Sequence, residues 1–439
     1  MAASPDDRPG APGRWSRLRS LLLALPLHVV LLALLYFAPG YRADLSTIPF
    51  DFTRGTQLLS GKLVYRDYPF EYPPLGALWY ALPRLVAQDA AAYRVAFAVQ
   101  MAVVDLATVV LVWAWARRMG QRAGPPLMAQ ALFLLAAGVM IVLERFDLVA
   151  AALTGLALYL WPRAGGVWGW ASLALGTGVK IFPAALAPLF AVEQIRRRQW
   201  GSLFIGLLVF MVALAAPLVP FVIIAPDSLV KLLAYHQERG VQIESLLATP
   251  LLVGHALGAS VKSQFAFGSQ EISSPLTPLV AGLATPLVVL ALALVTWRYS
   301  RGPLTEERRV RFALAAVLAF ALFNKVLSAQ YMIWPYALAP LVTTRRRLVW
   351  AVYFVALGLT QYLYPHGWNN LTGLEPLAIA VQAGRNVLLL LWWVVLLWEP
   401  RQTARRVVEA GAASGPGSVA GDGATPAGSG SSGWARRAR

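Results

Sequence analysis

Long apolar stretches separated by short polar runs make up most of the chain from residue 18 to about residue 400. A bilayer core about 30 Å thick is crossed by roughly 20 helical residues. Eight stretches approach that length, and they cover residues 18–38, 92–116, 125–143, 147–162, 200–225, 276–297, 348–364 and 377–398. This pattern predicts an all-α integral membrane protein.

Two further apolar stretches, 166–193 and 310–343, are too long for one helix, and each is interrupted by a lysine, Lys180 or Lys325. A single crossing of the first stretch would leave the arginines at 196–198 on the outer side, against the positive-inside rule. A return at Lys180 places them in the cytoplasm, and a return near Lys325 does the same for the next arginine run. We therefore expect a bundle of about 10–12 transmembrane segments with both termini cytoplasmic.

This topology divides the chain into a cytoplasmic tail (1–17), a transmembrane domain (18–400) and a cytoplasmic tail (401–439). The last tail is rich in Gly, Ser, Ala and Arg, so it is expected to be disordered. Two long outer loops cover residues 40–91 and 226–275. The first is too aromatic to lie freely in water, which predicts helices in the membrane interface over the bundle.

Composition agrees with a membrane protein, since 58% of residues are hydrophobic and only 13% are charged. The net charge of +17 comes from basic runs between apolar stretches, so we expect a membrane and no nucleic acid as partner. The chain has no cysteine, which excludes a disulfide scaffold, a thiolate zinc site and a cysteine nucleophile. On this topology all five lysines fall in outer loops or at outer helix breaks: Lys62, Lys180, Lys231, Lys262 and Lys325.

Polar chemistry is concentrated on the outer face. Asp44 and Asp51 follow the first helix closely, where a base is needed if one substrate is a lipid, although each alone could be a helix cap or a solvated charge. A transporter more often buries such groups near the membrane midplane. Asp105 lies within the second predicted span, where a buried carboxylate needs an ionic or hydrogen-bonding partner, and Arg385 is one candidate.

Five segments in a fixed order between residues 44 and 334 carry a family resemblance. They read DLSTIPFDF, GKLVYRDYPFEYPPL, RFDLVAAALTGLALYL followed by GTGVKIFPAALAPL, YHQERGVQIESL and FNKVLSAQYMIWP. Together they resemble the GT-C superfamily of polytopic glycosyltransferases, and within it glycosyltransferase family 87, the polyprenyl-phosphate-mannose-dependent mannosyltransferases. The resemblance implies a GT-C-like bundle in the plasma membrane.

The resemblance also implies transfer of a sugar from a polyprenyl-phosphate donor to a hydroxyl of a lipid or glycan acceptor on the non-cytoplasmic side. The transfer inverts the configuration at the anomeric carbon, and mannose is the sugar expected first. One carboxylate takes the proton of the attacking hydroxyl. Asp44, nearer the membrane end of the first helix, is preferred over Asp51. The candidates for binding the donor phosphate are Lys180, Arg145, Arg239, Lys325 and His236. Further candidates for binding substrate are Glu71, Tyr72, Asp147, Glu244, Gln330 and His366.

Two alternatives stay open. The donor could carry arabinose or glucose, because nothing in the loops separates these sugars. The same cations could also serve a transporter or flippase of polyprenyl phosphate or a related lipid, but the short, arginine-rich inner loops provide no vestibule for a head group. No carboxylate cluster has metal-ligand spacing, so neither a metal nor a cofactor is expected beside the lipid-linked donor.

Overall fold

Helices make up most of the part of the chain that the computed structural model describes, residues 14–38 and 41–398. The first helix begins at Arg14, inside the predicted tail 1–17, while residues 1–13 and the predicted tail 401–439 lie outside the described residues. The helices of the first half are α1 (Arg14–Tyr36), α2 (Ile48–Leu59), α3 (Pro74–Arg84), α4 (Ala90–Arg118), α5 (Gly124–Ala137), α6 (Val139–Val142), α7 (Asp147–Leu160), α8 (Val167–Val179), α9 (Ala187–Arg196), α10 (Trp200–Ala215) and α11 (Val219–Ile224).

The second half adds a small sheet to the helices. Its elements are α12 (Asp227–Glu238), β1 (Val241–Gln242), α13 (Thr249–Ala256), β2 (Lys262–Ala266), β3 (Ser269–Ser273), α14 (Thr277–Ser300), α15 (Glu306–Leu322), α16 (Arg346–Gln361), α17 (Trp368–Thr372) and α18 (Pro376–Leu397). Short 3₁₀ turns connect several helices, at Ala43–Leu45, Ala164–Gly166, Phe182–Leu186, Ala216–Leu218, Ala329–Ala337 and Ala339–Leu341. Residues Tyr362–His366 form one turn of π-helix.

Six helices among the described residues are long and apolar enough to cross a membrane. They are Leu18–Tyr36, Ala90–Arg118, Trp200–Phe221, Thr277–Ser300, Arg346–His366 and Pro376–Leu397. Helices α5 and α7 are shorter but also apolar. The prediction of an all-α membrane protein is confirmed, with one small sheet that the pattern did not predict; the number of membrane segments stays a prediction.

The stretch around Lys180 folds back on itself, as predicted. Helix α8 ends at Val179 because Lys180 has an extended backbone (φ −153°, ψ 139°), and a 3₁₀ turn leads into α9. At the far end of α9, Gln194 accepts a hydrogen bond from Trp170 Nε1 and donates one to the carbonyl oxygen of Gly165 (2.8 Å). The stretch therefore begins and ends at the same end of the bundle.

The stretch around Lys325 also returns. Helix α15 ends at Leu322, and the 3₁₀ segment Ala329–Ala337 runs back toward the start of α15. There the Thr344 hydroxyl donates to Glu307 Oε1 (3.1 Å). We call the end of the bundle that carries Lys180 and Lys325 the lysine end, and the opposite end the arginine end.

Arginine side chains tie helices together at the arginine end. Arg118 donates to the Tyr159 carbonyl oxygen and to Glu306, which belong to the distal turn of α7 and the first turn of α15. Arg309 donates to both oxygens of Glu193, at 2.9 and 2.7 Å. The arginine runs that defined the predicted topology thus lie opposite the two lysines.

The first outer loop contains helices, as the aromatic pattern predicted. Helix α2 packs on α3 so closely that a Cβ on Gly55 would lie 2.4 Å from the Tyr80 carbonyl oxygen. Glycine is therefore required at this contact. The close packing buries one face of α2, with Ile48, Asp51 and Arg54, against α3 and α4.

The second outer loop holds a three-stranded antiparallel sheet in the order β1–β3–β2. A tight turn with Phe267 (φ 47°) and Gly268 (φ 69°) joins β2 to β3. Ile243 and Ile272 bury this loop in a small apolar core together with Leu252 and Leu371. The sheet thereby holds the end of α12 beside the Lys325 turn, where Gln242 N donates to the Lys325 carbonyl oxygen (2.9 Å).

The predicted pairing of Asp105 with Arg385 is wrong. Asp105 is fully buried and accepts hydrogen bonds from Tyr336 and from His28 Nδ1 (2.8 Å). Arg385 instead donates to Asn386 and to the Glu244 carbonyl oxygen. Helix α4 turns Asp105 toward α1, so a nearer histidine satisfies the buried carboxylate.

Candidate active site

The two candidate bases, Asp44 and Asp51, lie in opposite environments. The Asp44 side chain is 61% exposed and is held by Arg42, whose Nε donates to Oδ1 over 2.8 Å. This hydrogen bond lowers the pKa of Asp44. Asp51, in the first turn of α2, is only 3% exposed. The structure therefore gives Asp51, the second choice from sequence, the enclosed position that a base needs to act on a substrate shielded from water.

A hydroxyl group connects Asp51 to a cation. Thr47 Oγ1 donates to Asp51 Oδ2 (3.0 Å) and accepts from Arg145 Nη1 (2.8 Å). Burial raises the pKa of Asp51 to about 7, against the opposing effects of Arg145, the Thr47 hydrogen bond and Arg54. A carboxyl group with a pKa near neutrality can both take up and release a proton at physiological pH.

Arg54 and Glu71 form a paired fork one helical turn from Asp51. Arg54 Nη1 donates to Glu71 Oε1 (3.0 Å), Nη2 donates to Oε2, and the guanidinium lies 4.0 Å from the centre of the Phe50 ring. Burial alone raises the pKa of Glu71, but the Arg54 charge and its hydrogen bonds outweigh burial and lower it. Glu71 therefore stays ionised and can only accept hydrogen bonds.

Lys180 lies in an aromatic cage beside Asp147. Its Nζ is 2.6 Å from Asp147 Oδ1, which also accepts from Trp334 Nε1 (2.7 Å). The ammonium is 4.8 Å from the centre of the Tyr72 ring, and it also faces the rings of Phe146, Tyr331 and Trp334. The cage keeps the cation among apolar rings, where electrostatic attraction to an anion is strong.

A glycine brings Tyr72 and Lys180 together. A Cβ on Gly76, in the first turn of α3, would lie 2.9 Å from the carbonyl oxygen of Val179, the last residue of α8. The bare backbone lets α3 approach the point where α8 ends. The first outer loop is thereby held against Lys180.

Arg145 links the first outer loop to the π-helical turn Tyr362–His366. Besides Thr47, its guanidinium donates to the Tyr364 hydroxyl (3.2 Å), which itself donates to the Leu45 carbonyl oxygen (3.2 Å). Asp147, only two residues along the chain, pairs with Lys180 instead of with Arg145. Arg145 thus faces the Asp51 side of the site. We call Asp51, Glu71, Tyr72, Arg145, Asp147 and Lys180 the central cluster.

Arg239 and Lys325 lie at the second outer loop and are engaged there. Arg239 Nη2 donates to Ser269 Oγ (2.8 Å), and its Nε lies 3.7 Å from Glu271 Oε1. Lys325 Nζ donates to the carbonyl oxygens of Gln237 (3.1 Å) and Arg239 (2.6 Å). These two cations therefore border a region next to the central cluster, and their assignment to the donor phosphate stays a prediction.

The other candidates divide between buried and exposed positions. Glu244 is buried, accepts from Gln242 Nε2 (3.0 Å) and has a pKa raised to about 7 by burial. Gln330 is half-buried, whereas His236 and His366 are exposed. Within the described residues, no group of three or more Asp, Glu or His side chains could hold a metal ion.

Sequence reasoning missed Arg54, Thr47 and Tyr364. Arg54 follows Asp51 by three residues in a helical segment, so helical periodicity could have placed both on one face. Thr47 and Tyr364 had no comparable signal, since they meet only through Arg145, which is 98 and 219 residues away from them.

A comparison with known protein families finds a match to the middle part of the chain. The sequence profile of glycosyltransferase family 87 matches residues 70–328, which is more than half of the 439 residues. The matched segment contains Glu71, Lys180 and Lys325 and begins downstream of Asp51. No curated protein matches the chain.

Proposed function

We propose that this chain, which belongs to glycosyltransferase family 87, transfers mannose from a polyprenyl-phosphate donor to a hydroxyl group of a lipid or glycan acceptor. The observation that carries the proposal is the buried Asp51 carboxyl group, joined through Thr47 to Arg145 at the same end of the bundle as the caged Lys180. A base and two cations are what a direct displacement at a sugar phosphate needs.

In this reaction the acceptor oxygen attacks the anomeric carbon from the face opposite the phosphate. The new carbon–oxygen bond forms as the bond from the anomeric carbon to the phosphate oxygen breaks, so the configuration inverts. Asp51 takes the proton of the attacking hydroxyl. The departing polyprenyl phosphate keeps the electron pair of the broken bond and gains negative charge.

The cations of the central cluster suit that developing charge. Lys180 is buried among aromatic rings, and Arg145 presents a planar guanidinium that can bind phosphate through two N–H groups. Preorganised cations in an enclosed site stabilise a leaving phosphate more than they would in water. We place Lys180 and Arg145 on the donor phosphate, and Tyr72 beside the sugar.

The distribution of arginine supports a site facing the cell exterior. The runs around Arg118, Arg197 and Arg346 all lie at the arginine end, and the positive-inside rule assigns such runs to the cytoplasm. The lysine end, with Asp51, then faces outward from the plasma membrane. The transporter hypothesis is not favoured, because the family is one of glycosyltransferases.

The proposal is tested with the purified full-length protein in lipid nanodiscs. Polyprenyl-phosphate [¹⁴C]mannose and a membrane lipid extract are added, and labelled products are separated from the donor. We expect transfer by the wild type and a loss of about 10²–10⁴-fold in Asp51→Asn. Asp67→Asn, which removes an outer-loop carboxylate paired with Arg66, is the matched control and should transfer normally.

Three results would change the proposal. Full activity in Asp51→Asn together with loss in Asp44→Asn would make Asp44 the base. Transfer only from the arabinose or glucose analogue of the donor would replace mannose. Absence of transfer from every lipid-phosphate sugar would overturn the proposed donor class.

A further inference from the structure

A buried carboxylate that the proposed reaction does not use lies directly before Arg145. Glu144 is 2% exposed, and each of its oxygen atoms accepts a hydrogen bond. Ser46 Oγ donates to Oε2 (2.8 Å), and Arg94 Nε donates to Oε1 (3.0 Å). Ser46 precedes α2, Arg94 lies near the start of α4, and Glu144 follows α6. We call Arg94, Glu144 and Ser46 the anchoring triad.

The Ser46 hydroxyl joins this carboxylate to the start of α2. While it donates to Glu144, the same oxygen accepts from the backbone N–H of Ile48 (3.2 Å), the first residue of α2. The first N–H groups of a helix have no acceptor within the helix, so a side-chain oxygen at this point fixes where the helix begins. The neighbouring Thr47 hydroxyl is committed to Asp51 instead. Ser46 therefore anchors the helix that carries Asp51.

Two consecutive residues hold two consecutive residues at this point. Glu144 accepts from Ser46, and the next residue, Arg145, donates to Thr47 Oγ1 (2.8 Å). The segment before α2 is thus attached twice to the segment after α6. One attachment fixes the backbone that starts the helix, and the other fixes the hydroxyl that contacts Asp51. Because Glu144 and Arg145 are adjacent in the chain, a displacement of one moves the other.

Arg94 fixes Glu144 in turn. Its guanidinium lies 3.8 Å from the centre of the Tyr41 ring and 4.4 Å from that of Tyr36, the last residue of α1. Aromatic faces at this distance attract and hold a cation. The Arg94 charge also compensates the Glu144 carboxylate, which would be costly to bury alone. Arg94 thereby ties the position of Glu144 to the ends of two long apolar helices, α1 and α4.

The Thr47 hydrogen bond is the contact through which a shift of α2 would reach Asp51. Charged and titratable groups act on Asp51 from every element around it, and they are Arg54, Glu71, Tyr80, Tyr93 and Arg145. Ser46 is neutral, so its replacement by alanine changes none of these charges. An effect of Ser46→Ala on Asp51 is therefore geometric.

We propose that Arg94, Glu144 and Ser46 position the Asp51 base by fixing the start of α2 and the Thr47 hydroxyl. The inference rests on the proposed function, in which Asp51 takes the proton of the acceptor. The triad acts through Thr47, so its members are positioning residues. A misplacement of about 1 Å can cost about 100-fold in rate, which is why these bonds bear on kcat.

The first test removes the Ser46 hydroxyl in the full-length protein in nanodiscs. In Ser46→Ala, kcat for mannosyl transfer should fall about 10- to 100-fold. Burial raises the pKa of Asp51 and the Thr47 bond opposes it, so weakening that bond should move the rising limb of the pH–rate profile to higher pH. Ser46→Thr keeps the hydroxyl and should restore both. Ser60→Ala, which removes an exposed hydroxyl at the other end of α2, is the matched control.

The second test removes the Glu144 charge. The amide of Glu144→Gln cannot accept from both donors through two oxygens, so kcat should fall by a similar factor. The double variant Ser46→Ala/Glu144→Gln should be no slower than the slower single variant, because the residues act as one unit. Fully additive losses would overturn the inference.

A buried acid at the arginine end controls for lost stability. Glu193 is also 2% exposed and accepts from Arg309. Glu193→Gln should lower the thermal unfolding midpoint and leave kcat per folded protein unchanged. The inference is overturned if Ser46→Ala and Glu144→Gln likewise lower only the unfolding midpoint.

Infrared difference spectroscopy separates this inference from the proposed function. The C=O stretch of the protonated Asp51 carboxyl group, isolated by subtracting the Asp51→Asn spectrum, gives its titration midpoint without any transfer. A higher midpoint in Ser46→Ala, in a protein that transfers no lipid-phosphate sugar, would uphold the positioning of Asp51 and overturn the proposed function alone. Transfer by the wild type, with an unchanged midpoint in Ser46→Ala and unchanged kcat in both single variants, would overturn the inference alone.

Discussion

Lys180 Nζ and Asp147 Oδ1 form a buried ion pair 2.6 Å apart, across the ends of two helices that run side by side. Asp147 opens α7 and Lys180 follows the last residue of α8. Trp334 Nε1 donates to the same carboxylate oxygen, so Asp147 keeps a partner on each side. The pair uses one hydrogen atom of the ammonium, and in the proposed reaction the other two meet the donor phosphate.

Removing the Lys180 charge should separate stability from activity. Lys180→Met leaves Asp147 buried and uncompensated, which typically costs about 3–5 kcal/mol. The double variant Lys180→Met/Asp147→Asn removes both charges and keeps an acceptor for Trp334, so its thermal unfolding midpoint should recover toward the wild type. Mannosyl transfer should stay low in both variants. Wild-type transfer by the double variant would exclude Lys180 from the phosphate site.

The pKa of Asp51 predicts the pH dependence of the reaction. Burial raises this pKa to about 7, so the base is protonated below that pH and transfer should rise between about pH 6 and 8. A pH–rate profile under saturating donor measures this limb. Asp44→Asn should leave it unchanged. A limb near pH 4, the usual range of an exposed carboxyl group, would contradict the assignment.

The stability of the folded protein should fall over the same pH range in which transfer rises. Because the folded pKa of Asp51 lies above its ordinary value of 3.8, stability from this group is complete below about pH 4 and is lost as the pH rises through about 7. Asp51→Asn removes that loss. The variant should therefore unfold at a higher temperature than the wild type at pH 8, and the difference should shrink at pH 5.

Thr47 should tune the Asp51 base. Its hydroxyl donates to Asp51 and lowers the pKa of that carboxyl group, so Thr47→Val should move the rising limb of the pH–rate profile to higher pH. It also removes an acceptor from Arg145. Thr53→Val is the matched control, since the exposed Thr53 hydroxyl donates only to the Pro49 carbonyl oxygen. An unchanged limb in Thr47→Val would show that Asp51 is not the titrating base.

The helix breaks could be predicted because a single lysine in an apolar stretch is costly. Lys180 and Lys325 marked both turns, and charge runs alone determined which way the chain returned. The choice between Asp44 and Asp51 could not be made in this way. Burial of Asp51 depends on the contact of Gly55 in α2 with Tyr80 in α3, and a sequence gives no distance between helices.

Partners across the bundle were also beyond sequence reasoning. Asp105 needed a buried partner, but the rotation of α4 toward α1, which selects His28, depends on how all the helices pack. The small sheet escaped detection because its strands contain only two to five residues. Such strands are too short for a reliable alternating pattern.

The orientation of the bundle can be tested by cysteine labelling, because the native chain contains no cysteine. Lys262 is exposed at the start of β2 near the lysine end, and Gly201 is exposed in the first turn of α10, with nothing within 4 Å of a Cβ. In intact cells, a membrane-impermeant maleimide should label Lys262→Cys and should label Gly201→Cys only after permeabilisation. Both variants should label fully in detergent, which controls for local accessibility. The reverse pattern would place the central cluster on the cytoplasmic side, where an external acceptor could not reach Asp51.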